Sequence, residues 1–147
     1  MSSNYRIELL NKVGNEAARQ ISLLMRQHVP NLPELSTAYF KKAINNKSVK
    51  IFVALSKKNQ IVGIVTMVFY RKVNGIYKAY VEDLLVNIEN RRKGIGEALI
   101  KKVIQTARKM KINTVHLTSN SCRVGANLLY KKIGFKFYDT NYYKYNL

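Results

Sequence analysis

The residues best suited to chemistry in this chain stand in one short run, Arg91-Arg92-Lys93-Gly94-Ile95-Gly96. The run follows a β-like stretch, Tyr80 to Val86, and a loop from Asn87 to Lys93, and a helical pattern opens at Gly94. The first amides of a helix have no intrahelical acceptor, and the aligned peptide dipoles add partial positive charge at that end. Phosphate is attracted to such a place. Glycines at 94 and 96 let an anion approach the main chain without meeting a Cβ, and three flanking cations raise its local concentration. The chemistry expected of the run is therefore the gripping of a pyrophosphate. Taken alone it also describes a solvated basic turn, and it is neither a GxGxxG fingerprint nor a P-loop ending in Gly-Lys-Ser/Thr.

The elements that must position this run can be read from hydrophobic period. Tyr5 to Leu9 alternates as a short strand, after which Ala17, Ile21, Leu24 and His28 fall on one helical face, ended by Pro30 and Pro33. Ser36 is suited to cap a second short helix through Tyr39, Phe40 and Ile44. Val49 to Leu55, Ile61 to Tyr70 and Ile76 to Val86 are strand-like runs joined by Lys57-Lys58-Asn59-Gln60 and by a turn containing Asn74-Gly75, which reads as an antiparallel meander. A helix from about Gly94 to Met110 carries Ile95, Leu99, Val103, Ile104 and Ala107 on one side and lysines on the other. Val115 to Thr118 is a further strand, and the helix before it implies a parallel pairing through a right-handed crossover. A last helix, Arg123 to Lys132, stops at Gly134; the aromatic tail Phe135 to Leu147 is strand-like with a break near Asp139 to Asn141. The whole reads as one α/β domain over residues 1–147.

Arg91-x-x-Gly94-x-Gly96 resembles the Arg/Gln-x-x-Gly-x-Gly/Ala signature of GNAT N-acetyltransferases, and it follows a strand of the expected type, Val81-Glu82-Asp83-Leu84-Leu85-Val86. Further along, Arg123-x-x-Ala126-x-x-Leu129-Tyr130-x-x-x-Gly134-Phe135 is similar to the family's last helix, which ends in Leu-Tyr-x-x-x-Gly-Phe. The resemblance covers the chain from about Val49 to the end. It implies a mixed, mostly antiparallel sheet of six to seven strands flanked by about four helices, with a splayed parallel strand pair. It implies acetyl transfer from acetyl-CoA to a primary amine by direct attack in a ternary complex. One residue departs from the pattern: Arg123 stands where many members carry Asn.

By the same resemblance, the main chain at Leu84, Leu85 and Val86 pairs with the pantetheine arm, and Arg91, Arg92, Lys93, Gly94, Ile95 and Gly96 hold the pyrophosphate. Asn120 or Asn127 would replace the missing asparagine contact. An amide near Val86 would polarise the thioester carbonyl. Tyr130 matches the family's helix tyrosine and would protonate the departing thiolate, the alternative being a tyrosine packed on the helix's buried face. The amine's proton calls for Glu82, Asp83 or a water chain. Alternation sends the two carboxylates to opposite faces, and Glu82 is expected to share its face with Leu84 and Val86. A purely structural hydrogen-bonding pair is the competing reading. Certain other members place their base two residues earlier, at the position of Tyr80. Cys122 offers a covalent acetyl-cysteine route, whereas direct attack is typical of the family; His116 reads as a structural side chain.

Composition narrows the alternatives. A single cysteine, and histidines 28 and 116 without companions at ligand spacing, give no disulfide framework and no metal site. The longest apolar stretch, Ile61 to Tyr70, is far short of the roughly 20 residues of a membrane-spanning helix. A cytoplasmic location is the default expectation, with no membrane partner, and a homodimer is left open. The excess of 26 Lys plus Arg over 8 Asp plus Glu leaves a net charge of +18. Two readings of that excess stand: attraction to anionic partners, or a composition bias spread over the genome. The first admits a nucleic-acid-binding module, supported by Tyr142-Tyr143-Lys144-Tyr145, although an edge strand has the same pattern. An acetyl-CoA-binding protein without catalysis is a third possibility. So few carboxylates argue against a polycationic acceptor and for a neutral or anion-bearing amine, such as an amino acid, an amino sugar phosphate or a protein N-terminus. Whether the acceptor is a small molecule or a protein N-terminus or lysine is not fixed by the sequence.

Overall fold

The computed structural model describes residues 4–147 and shows five strands lying side by side in chain order. β1 (Tyr5–Leu9), β2 (Val49–Ser56), β3 (Ile61–Arg71) and β4 (Tyr77–Val86) are antiparallel neighbours, and β5 (Thr114–His116) joins β4 in parallel. α1 (Asn15–Arg26) and α2 (Thr37–Ile44) separate β1 from β2, α3 (Ile95–Lys109) makes the crossover from β4 to β5, and α4 (Val124–Ile133) follows. The β3–β4 turn closes where expected, with Gly75 at φ +84 and Lys72 N donating to Ile76 O at 2.8 Å. Ser36 caps α2 by accepting the Tyr39 amide at 3.2 Å.

Strand alternation divides the core between the two faces of the sheet. Ile21, Leu24 and Phe40 from α1 and α2 pack with Ile51, Val53, Ile61 and Ile64 on one face. Leu99, Ile100 and Val103 from α3 and Tyr130 from α4 pack with Phe52, Val65, Met67 and Val81 on the other. Helix α3 comes so close to β3 that a Cβ on Gly63 would lie 3.0 Å from Ile95 Cγ2 and 3.1 Å from Leu99 Cδ1. Both neighbours are buried and cannot retreat into solvent. Gly63→Ala is therefore expected to lower the unfolding free energy by about 1–3 kcal/mol, measurable as an earlier urea midpoint with an unchanged slope.

Four differences from the sequence-based expectation are physical. The sheet has five strands, not six to seven, because residues 135–147 form no helix or strand. Phe137, Tyr138, Tyr142, Tyr143 and Tyr145 are exposed there. Their alternation satisfies a strand pattern, but a strand also needs a paired edge, and the three residues of β5 offer a short one. α1 ends at Arg26, so His28 lies beyond the helical face on which its spacing placed it. β5 begins one residue earlier and ends two residues sooner than its apolar run, so His116 closes the strand. The fourth difference is a bulge within β4, described with the site.

Candidate active site

β4 and β5 pair only at Lys78 with Thr114, Ala79 with Val115 and Tyr80 with His116. β4 then continues to Val86 while β5 stops, which leaves a fork whose tip is the Tyr80–His116 pair. Asn87 N donates to Val62 O at 2.9 Å across the β3–β4 ladder. Because peptide groups alternate in direction along a strand, Leu85 also turns its groups to β3, whereas Leu84 and Val86 turn theirs to the parted side.

The register between β3 and β4 slips between Ile64 and Thr66, and Asp83 takes φ +52. One extra residue in β4 shifts the side-chain alternation beyond it. Ala79 and Val81 before the bulge, and Leu84 and Val86 after it, all belong to the α3 face. Leu85 belongs to the α1/α2 face. Glu82 therefore does not share a face with Leu84 and Val86, as regular alternation predicts; it lies with Tyr80 and Leu85, opposite Thr66. Glu82 and Asp83 are both exposed.

Past Val86 a short 3-10 turn, Ile88–Asn90, leads to the basic run. Arg92 stands at φ +59 and Gly94 at φ +80, with Lys93 outside the left-handed region between them. Such alternation turns successive amides into a concavity suited to anions. Gly94 is the N-cap of α3, no side chain caps that end, and the first α-helical bond there is donated by Ala98 to Gly94 O. The amides of Ile95, Gly96 and Glu97 thus begin the helix without i−4 acceptors. Arg91 Nε donates to Val86 O at 3.2 Å and Lys93 Nζ to Glu89 O at 2.9 Å, so two of the three cations brace the loop. Glu97, the acidic residue of the first turn, is neutralised by Lys101 and Lys132 at 2.7 Å each. These hydrogen bonds hold its carboxyl down to about 2.

The end of α1 is clipped to this loop, a feature the sequence alone did not disclose. Gln27 Oε1 accepts the Ile88 amide at 3.1 Å, and His28 Nε2 lies 3.4 Å from Arg91 Nη2. A guanidinium can only donate, so Nε2 is the acceptor and His28 is neutral. Burial, Arg91 and Arg123 agree in lowering its pKa.

Tyr130 is buried on α4, edge-on to Phe135 at 5.9 Å between centroids. Burial pushes its phenol up, against a smaller opposing effect of Arg123, so it is protonated at neutral pH. Asn120 and Asn127 both shape the turn into α4: Asn120 Oδ1 accepts the Cys122 amide at 3.0 Å, and Asn127 Nδ2 donates to Asn120 O at 2.9 Å. Cys122 is exposed. Two concavities lie away from the fork, one of about 320 Å³ beside Lys12, Glu16 and Gln20, the other of about 670 Å³ along Lys101, Gln105 and Arg108 of α3.

Residues 17–135, which contain the fork, the basic loop and both signatures, match the Acetyltransferase (GNAT) family. The chain belongs to this family. A stretch of 53 residues is 40% identical to human (Homo sapiens) N-acetyltransferase 8, covering 36% of this chain and 23% of that protein, so the match spans about a quarter of the relative's length. An aminoglycoside acetyltransferase from an uncultured soil metagenomic sample, solved with trehalose, superposes with TM-score 0.87 at 23% identity over 98% of this chain and 97% of that one. A ribosomal-protein-alanine N-acetyltransferase from Brucella melitensis biovar Abortus 2308 superposes with TM-score 0.76 at 19% identity, over 97% and 99% of the two chains. At such identities the superpositions establish the GNAT fold, and the two names already span a small-molecule and a protein acceptor.

GNAT enzymes use acetyl-CoA, and the fork of this chain fits it on independent grounds. Ser119 Oγ, in the segment that continues β5 past the fork, is buried without a hydrogen-bond partner. Such a hydroxyl costs about 1–3 kcal/mol until something bonds it. A polar arm entering the fork would meet the peptide groups of Leu84, the amide of Val86 and the uncapped amides of α3, and Ser119 follows the last paired residue, His116, by three positions. Among the described residues no group of three or more His, Cys, Asp and Glu is placed to hold a metal ion, and no helix is long and apolar enough to cross a membrane.

Proposed function

We propose that this chain transfers an acetyl group from acetyl-CoA to a primary amine by direct attack within a ternary complex. The observation that supports this reading best is the fork itself, where β4 runs on past its last pairing with β5 and leads directly to the uncapped head of α3. Acetyl-CoA, when bound, supplies an activated thioester. The amides from Arg92 to Gly96, with the Arg91 side chain beside them, hold its diphosphate, and Leu84 and Val86 hold its arm in the manner of an added strand. Of these two, Leu84 is nearer the tip of the fork, so its amide is the donor placed to polarise the thioester carbonyl at no reorganisation cost.

Tyr130 is the proton donor to the departing sulfur, a role that suits a phenol held protonated through the neutral range. Glu82 is the proton acceptor for the amine. Ordinary alternation puts Glu82 on the face of Tyr80, the residue at which the fork opens, and this supports that choice; the bulge at Asp83 moves only Leu84 and Val86 off that face. Glu82→Gln is expected to lower kcat/KM at least tenfold while CoA affinity is retained, since a positioned base is worth about 10²–10⁴ in rate. Equal turnover by the variant would assign the proton to water.

Glu82 and Asp83 are the acidic residues at the fork, too few to surround a polycation. The acceptor is accordingly a neutral or anion-bearing amine, either a small molecule or a protein N-terminus. A free-thiol assay with acetyl-CoA over a panel of amines tests the whole reading. Thiol release dependent on an amine, with carboxylated or phosphorylated amines ahead of spermine, is expected. Acetyl-CoA binding without thiol release for any amine would make the chain a non-catalytic binder.

A further inference from the structure

The face of the sheet that α1 and α2 cover along β2 and β3 carries a ladder of three rings at the tip of the fork. Tyr80 of β4 and His116 of β5, the last paired residues before the strands part, lie 5.2 Å apart between ring centroids at 27°. Tyr70 of β3 lies 6.3 Å from Tyr80 with the two rings parallel to within 4°. All three point away from the α3 face, because Phe69, Ala79, Val81 and Val115 beside them pack there. Tyr70 is 45% exposed, so the outer ring is open to solvent.

The rings of Tyr80 and His116 are themselves uncharged at neutral pH, with Lys78, the register partner of Tyr70, beside them on the same face. Burial, and then the neighbouring Tyr70, raise the Tyr80 phenol, while burial and Lys78 lower the His116 imidazole, so both are neutral. Glu82 follows Tyr80 by two residues on the same face.

Resting on the acetyl-transfer reading above, we propose that Tyr70, Tyr80 and His116 form the shelf on which the acceptor lies, and that the acceptor is a primary amine carried on a ring with a flat apolar face. The ring stacks on the shelf and its amine reaches past Tyr80 toward Glu82 and the fork. Aromatic rings in offset contact favour flat partners beyond simple burial, and a linear polyamine offers no such face.

The test compares phenethylamine and glucosamine, which have an aromatic and a saturated ring, with n-butylamine, in the wild type, Tyr70→Ala and Tyr70→Phe. The wild type is expected to favour at least one ring amine over n-butylamine by about tenfold in kcat/KM, equivalent to about 1.4 kcal/mol. Tyr70→Ala is expected to bring that ratio to within about twofold of one, and Tyr70→Phe to restore it. Which of the two ring amines carries the preference tells an aromatic body from a sugar-like one. A preference that survives Tyr70→Ala, or no ring preference in the wild type, overturns the shelf. Should no amine be acetylated, saturation-transfer NMR of the same three amines reads the shelf directly. Transfer to the ring amines that is lost in Tyr70→Ala upholds it, and equal or absent transfer rejects it. Calorimetric binding of CoA, measured on the same samples, separately reports failure of the acetyl-transfer reading.

Discussion

Gly94→Val is expected to weaken CoA binding at least tenfold, the largest single-residue effect on affinity in the molecule. Gly94 holds φ +80 at the head of α3. A β-branched residue there is a genuine outlier, costing about 1–3 kcal/mol. A Cβ would also stand 3.3 Å from Tyr5 Oη. The chain relieves both by moving the loop, and the loop is what aims the amides of Ile95 and Gly96. Gly75 supplies a matched control. It has φ +84 in the β3–β4 turn, with open space around its Cβ position. Gly75→Val carries the same backbone strain away from the fork, so it should lower the urea midpoint comparably and leave CoA affinity at the wild-type value. If both variants bound CoA like the wild type, the head of α3 would not be the diphosphate site.

Tyr130→Phe is expected to keep CoA affinity and to slow turnover at least tenfold, a barrier increase of about 1.4 kcal/mol or more. The substitution leaves the ring, its edge-on contact with Phe135 and its place in the core, and removes only the hydroxyl. A tyrosine that merely fills the core would tolerate the change with kcat unaltered, so the kcat measurement separates packing from proton donation. Because burial raises the folded-state pKa, the acid form is present throughout the neutral range. Loss of rate through deprotonation of Tyr130 is therefore expected only above the ordinary tyrosine range near pH 10. A fall in rate at lower alkaline pH would come from another group.

What the sequence disclosed of this fold is what local physics alone determines. The glycines and cations from Arg91 to Gly96 mark a helix head open to anions because φ and capping are properties of a few neighbouring residues. The meander was legible because short turns force adjacent strands to pair, and the parallel pairing of β5 because a whole helix intervenes. The bulge at Asp83 was not legible. One inserted residue leaves Glu82-Asp83-Leu84 looking like ordinary alternation, and only the partner strand reveals the slip at Ile64 and Thr66. Gln27 and His28 lie beyond the period of α1, and their bonds to Ile88 and Arg91 exist only because distant segments meet. The aromatic tail misled in the opposite sense, since alternation without a long edge to pair with does not make a strand. Tyr70, Tyr80 and His116 come from three strands, and their stacking is a property of register.

The measurement closest to the central claim is a titration of the ¹⁵N-labelled protein with CoA, followed through its backbone amide signals. Each amide reports separately, so the site is located as well as detected. The largest shifts are expected at Gly94, Ile95 and Gly96, with a second group at Leu84 and Val86 where the parted strand would receive the arm. Shifts confined to lysines on the outer side of α3, with those five amides unmoved at saturation, would contradict it.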